Sequence, residues 1–145
     1  MAYHRVPVAQ SPIHQLLEAL DRRDVSAAIS LLAPGCELLL ADGRRAGGRQ
    51  ATAELLEEFL AMTRSMSHET TAEWQVADAW VAEVAATYEL QDWLLLQAVP
   101  RAFVLRTGPG GVVSVHVYGA RERPIGDHRT GEEGMRISDR WIPPL

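Results

Sequence analysis

Apolar side chains recur three and four residues apart near the start of the chain, at Ile13, Leu16, Leu17 and Leu20, which is the spacing of one helical face. Ser11-Pro12 supplies the start, because a serine oxygen accepts from free amides and a proline at the first helical position gives up a bond it would not make. Val25, Ala28, Ile29 and Leu32 repeat the spacing after Asp24, and Pro34-Gly35 stops it. From Cys36 the period becomes two, with Cys36, Leu38 and Leu40 sharing a face, and Asp42-Gly43 forms a turn. A third helix is expected over residues 50–64, burying Ala51, Leu55, Phe59 and Met62 while Glu54, Glu57 and Glu58 face water.

Beyond it the chain reads as strands. His68, Thr70, Ala72, Trp74 and Val76 alternate with Glu69, Thr71, Glu73 and Gln75; Trp80, Ala82, Val84, Ala86 and Tyr88 alternate with Val81, Glu83, Ala85 and Thr87. A further strand is expected over 94–106, with Pro100 at a bend or an edge, and a last one over 112–118 after the glycine loop at 108–111. Val113, Val115 and Val117 face the core in this reading, leaving His116 and Tyr118 outside. After Ala120 the chain is charged and glycine-rich with no sustained period. It is read as a C-terminal arm over 121–145, either mobile or docked through Ile137, Trp141, Ile142 and Leu145, on a domain over 1–120.

A length of 145 residues suits one core. The net charge of -5 argues against an electrostatic grip on nucleic acid. All 14 basic residues are arginine, which excludes Schiff-base chemistry on a lysine side chain and makes any cationic contact a planar, two-pronged one. A single cysteine, Cys36, cannot form a disulfide framework within the chain. No apolar run approaches the roughly 18 residues of a membrane span, and a cytoplasmic location is expected. The stretch ADGRRAGGRQ lacks the spacing and the lysine of a phosphate loop, and reads as a turn and helix entry. His4, His14 and His128 show no metal-ligand spacing, so neither metal nor cofactor is expected.

The stretches ALDRRDVSAAISLLAPGCELLLADGRRAGGRQATAELLEEFL and FVLRTGPGGVVSVHVYG, with the order of elements around them, resemble the nuclear transport factor 2-like superfamily and, within it, the small bacterial SnoaL-like proteins. The resemblance covers roughly residues 13–120. It implies an α+β fold of order ααβαββββ, in which a curved antiparallel sheet wraps three N-terminal helices into a cone with an apolar cavity. It also implies a homodimer through the outer sheet face. Leu16, Leu40, Trp74, Tyr88, Ala102, Val104 and Arg106 are the expected lining of that cavity. Laid along this chain, the superfamily's ketosteroid isomerase pattern puts its base at Leu40 and its two oxyanion donors at Leu16 and Ala102; none of these side chains can move a proton or donate a hydrogen bond. The dehydratase pattern places a histidine at His68, in SMSHETT, and an acid at Asp21.

For both residues a plainer reading stands alongside. His68 also suits a half-exposed strand start, and Asp21 a helix end that bonds local amides. Two functions are therefore expected of the chain. One is a binding module for a small hydrophobic molecule; the alternative is a cyclase, dehydratase or hydrolase acting on a polyketide, terpenoid or steroid-like substrate through His68 and Asp21.

Overall fold

The computed structural model describes residues 4–5 and 11–119. In chain order the elements are β1 (His4–Arg5), α1 (Pro12–Asp21), α2 (Val25–Ser30), β2 (Leu32–Leu39), β3 (Arg45–Gly47), α3 (Arg49–Ala61), β4 (Thr63–Val76), β5 (Ala79–Leu90), β6 (Leu95–Gly108) and β7 (Gly111–Tyr118). The expected arm over 121–145 lies outside the described residues.

The expected sheet needs correction. The described strands form one seven-stranded sheet in the order β1-β4-β5-β6-β7-β2-β3, and it is mixed rather than antiparallel, because β2 runs parallel to β7. Its edges, β1 and β3, are not hydrogen-bonded to one another, so the sheet is open and does not close into a cone. The element order also gains β1 and β3, two and three residues long, too short to show a period. Hairpin turns set the antiparallel run from β4 to β7. The direction of β2 follows instead from α2 and from where α3 returns the chain, which no local pattern encodes.

The helices cover one face of the sheet, α1 against β4, β5 and β6 and α3 against β2, β3 and β4. Ser11 caps α1 as its sequence requires, its Oγ accepting from the amides of Ile13 at 3.0 Å and His14 at 3.1 Å. Ile13, Leu16, Leu17 and Leu20 are all buried, packed with Leu38, Leu40, Phe59, Tyr88 and Phe103. Helix α3 ends earlier than its apolar pattern suggests, and Met62 stands 41 % exposed while Thr52, Leu55, Leu56, Phe59 and Leu60 are buried. Strand β2 starts at Leu32 and carries Pro34 and Gly35 within it, at an irregularity between Leu32 and Glu37. Gly111, with φ +123°, starts β7 where an added Cβ would lie 2.7 Å from the carbonyl oxygen of Leu31, so only glycine fits.

Arg23 ties the link between α1 and α2 to the end of α3. Its guanidinium donates to the carbonyl oxygens of Leu60 and Thr63 and to the Thr63 hydroxyl. The last carbonyls of a helix have no partner within it, and a charged donor there is worth about 1–3 kcal/mol. Arg23→Ala is expected to lower the melting temperature by about 3 to 6 °C in calorimetry; an unchanged value would show that water replaces those bonds without cost.

Candidate functional site

Asp21 is the last residue of α1, where the helix dipole disfavours a negative charge. It does not bond local amides. Its Oδ1 lies 2.6 Å from Nδ1 of His68, and its Oδ2 accepts from the backbone amide of His68 at 3.1 Å. That amide belongs to an edge among the described residues: β1 pairs with β4 at Trp74 and Gln75, and at His68 no described strand lies on the side of β4 away from β5. The carboxylate of α1 takes the place of that strand. Sequence positions 47 residues apart are thus locked by two hydrogen bonds, and the His68 ring and main chain are held together as a unit.

The His68 side chain is fully buried, whereas that of Asp21 is 28 % exposed. The ring meets the edges of two aromatic neighbours, Tyr88 at 6.1 Å between centroids and Phe103 at 6.2 Å, both nearly perpendicular. A carboxylate only accepts, so Nδ1 carries the proton and Nε2 presents a lone pair. Nε2 is buried and has no hydrogen-bond partner. The hydroxyl of Tyr88, which also stacks edge-on with Phe59, is buried and has Arg101 close by without full hydrogen-bond geometry. Burial raises the Tyr88 pKa far above its ordinary value, against the opposing pull of Arg101, so the phenol stays a donor.

A third polar group shares this face. Between Thr70 and Ala72 the register of β4 against β5 slips by one residue, a bulge that reverses which side chains point inward. Before it, Met66 and His68 lie opposite Tyr88 and Ala86; after it, Glu73 lies opposite the fully buried Ala82. Glu73 is 2 % exposed and neither carboxyl oxygen has a hydrogen-bond partner. Burial raises its pKa, while the nearby Ser11 hydroxyl and His14 pull the other way without reaching hydrogen-bond geometry.

On the solvent side of the pair, an open cleft of about 480 Å³ runs between α1 and β4, reaching His14, Leu17, Glu18, Asp21 and His68. Asp21 therefore faces water while the histidine it holds faces the interior. Among the described residues no three His, Cys, Asp or Glu side chains are placed to hold a metal ion, and no helix is long and apolar enough to cross a membrane.

The structure brings together His68, Asp21 and Tyr88 of the residues singled out from sequence. Leu16 and Leu40 are buried in the core beside them. Trp74 is only half-buried, turned from the inner face by the bulge. On β6 the inward set is Val99, Arg101, Phe103 and Leu105, each buried, so Ala102, Val104 and Arg106 lie on the opposite face. There Ala102 borders a second depression of about 590 Å³ with Thr71, Glu83, Ala98 and Tyr118. The same outer side carries a chain of contacts in which His116 Nε2 lies 3.0 Å from Glu37 and His116 Nδ1 lies 3.3 Å from the Tyr118 hydroxyl. Sequence reasoning missed Glu73 and Arg101. Strict alternation puts Glu69, Thr71, Glu73 and Gln75 on one uniformly polar face, a chemically plausible arrangement that conceals the bulge. For Arg101 there was a usable signal, because Phe103 and Leu105 are larger apolar residues than Ala102 and Val104.

The sequence matches no protein-family model and no curated protein. Solved structures do share the arrangement. A hypothetical protein of Catenulispora acidiphila with a ketosteroid isomerase-like fold, in complex with trimethylamine, superposes with a TM-score of 0.69 at 20 % identity, over 75 % of this chain and 85 % of that one. An LEH-like epoxide hydrolase of M. tuberculosis gives 0.65 at 17 % identity, over 77 % and 81 %. A putative polyketide cyclase of Xanthomonas campestris gives 0.56 at 21 % identity, over 78 % and 90 %. The chain has the nuclear transport factor 2-like fold.

Proposed function

We propose that this protein is a proton-transfer enzyme for a small, largely apolar molecule, with His68 as general base and Asp21 as the residue that orients it. The observation that carries the reading is the 2.6 Å contact of Asp21 with Nδ1 of a fully buried histidine whose Nε2 is unbonded. Such a histidine is costly as a structural element, since an unpaired buried polar atom loses about 1–3 kcal/mol, and it gains a use when a substrate C–H supplies the missing partner. Nε2 takes the proton and the bonding pair moves toward an oxygen of the substrate. Asp21 stabilises the resulting imidazolium, and the Tyr88 hydroxyl donates to the oxygen that gains charge. The surrounding walls, Leu16, Leu40, Phe59 and Phe103, select an apolar skeleton. The likeness in fold to a putative polyketide cyclase and an epoxide hydrolase agrees with acid-base work on such skeletons.

5-Nitrobenzisoxazole tests the base directly, because one proton abstraction opens its ring and releases a coloured phenolate. The protein is expected to accelerate that opening well beyond buffer, and His68→Gln to remove the acceleration. Turnover that survives His68→Gln sinks the reading. We place the homodimer contact on the outer sheet face around Tyr118, which is 48 % exposed. Tyr118→Glu should then give monomers in light scattering, and a persisting dimer would move the contact elsewhere.

A further inference from the structure

We propose that the depression on the outer face of the sheet receives the chain's own C-terminal segment, Trp141 to Leu145, which lies outside the described residues. The proposal does not depend on the reading of His68.

Two bulges shape the depression. Between Thr70 and Ala72 β4 carries one residue more than β5, and opposite Ala86 to Tyr88 β6 carries one more than β5, around Ala98, whose φ is +52°. A bulge bends its strand and sharpens the local twist, and Thr71 and Ala98 both border the same space of about 590 Å³. Ala85, Ala98, Pro100 and Ala102 line it with side chains too short to fill it. Apolar surface of this kind is unfavourable in water, and a large apolar side chain seated there removes the cost. Glu83 and Tyr118 also border the space, and both are exposed.

The place where the described chain ends selects the occupant. Gly119, the last described residue, borders the depression, and residues 120–145 continue from it. Among them WIPPL, at the very end, is the stretch with consecutive apolar positions. Trp141 is its largest side chain and suits a hollow left by four short ones. Pro143 and Pro144 have no backbone N–H, so they lie against a sheet face without stranding a donor, and an exposed tyrosine is the kind of surface on which proline-rich segments pack. Arg140, just before them, has the charge opposite to that of Glu83. Tethering to the rim of its own site gives the segment an effective concentration there on the order of millimolar, above that of a second chain at working dilution.

The test joins the two surfaces by a disulfide in the full chain. Glu83→Cys and Ile142→Cys are combined and oxidised with glutathione disulfide; Cys36 is buried and stays out of the exchange. The control combines Ile142→Cys with Glu57→Cys, an exposed position on α3, which packs on the other face of the sheet. The Glu83 pair is expected to close within one chain at least about tenfold faster than the control, and Ala102→Arg or Trp141→Ala added to it to remove that advantage. Equal rates for the two pairs, or an advantage that survives both added substitutions, overturns the proposal. A bond that forms between chains and is lost on dilution puts the segment of a second copy in the depression, and overturns the assignment to the chain's own. A second measurement needs no engineered cysteine. In protein carrying 5-fluorotryptophan, the Trp141 fluorine signal, assigned by its loss in Trp141→Phe, is expected away from its position in urea; coincidence of the two overturns the proposal as well.

Discussion

On the proposed mechanism, Asp21→Asn is expected to lower kcat for 5-nitrobenzisoxazole by about 100- to 10,000-fold, with KM nearly unchanged. The two hydrogen bonds that Asp21 accepts from His68 explain why so small a change is so damaging. A carboxylate accepts at both oxygens, whereas an amide has one acceptor and one donor end. If the amide oxygen stays on Nδ1, its NH2 group faces the His68 backbone amide, donor against donor. If it turns to satisfy that amide, its NH2 group faces Nδ1, and the imidazole moves its proton to Nε2. The first arrangement dislodges the ring, and the second blocks the nitrogen that has to accept. Nitrogen-15 spectra of His68 distinguish them, the second showing the proton on Nε2. Turnover within about threefold of wild type would mean that Asp21 only anchors β4 to α1.

Glu73→Leu raises the melting temperature at neutral pH by about 3 to 10 °C, the second large effect expected. Removal of a carboxyl group normally costs stability where it was bonded; here neither oxygen has a partner, and leucine fills the site without a desolvation penalty. The pH dependence carries the same sign. Burial raises the Glu73 pKa, so the native protein holds this proton more tightly than the unfolded chain does. The stabilising contribution is therefore fully present below the ordinary glutamate range and is lost as pH rises through the folded value. His14 on α1 opposes the shift without reversing it. The advantage of Glu73→Leu over wild type should be largest near neutrality and shrink toward pH 4, and Glu73→Gln should show the same trend. An advantage independent of pH would mean that folding leaves the Glu73 pKa unchanged.

Legibility along the chain followed the range of the interactions. Helix α1 was plain from Ser11-Pro12 and four apolar residues, because capping and amphipathic spacing are local chemistry. The strands β4 to β7 were plain as strands for the same reason, and Tyr88 and Phe59 fell on buried faces. The pairing of His68 with Asp21 came from a resemblance rather than from spacing, and the residues alone left both with plainer roles. Which face of β6 lines the interior was misassigned, since Ala102, Val104 and Arg106 alternate as well as Arg101, Phe103 and Leu105 do.

What the sequence determined by itself is the three helices and the five longer strands, the single core and the absence of lysine chemistry. These depend on side-chain period, caps and composition, all readable within a few turns of chain. The tertiary structure alone decided three things. It set β2 parallel to β7 in an open sheet, because strand direction depends on where distant segments meet. It filled the free edge of β4 with the carboxylate of Asp21, which pins His68 with its Nε2 inward. It also inserted one unpaired residue at Thr71, and because side chains alternate with a period of two, that single residue moved Glu73 from water to the interior.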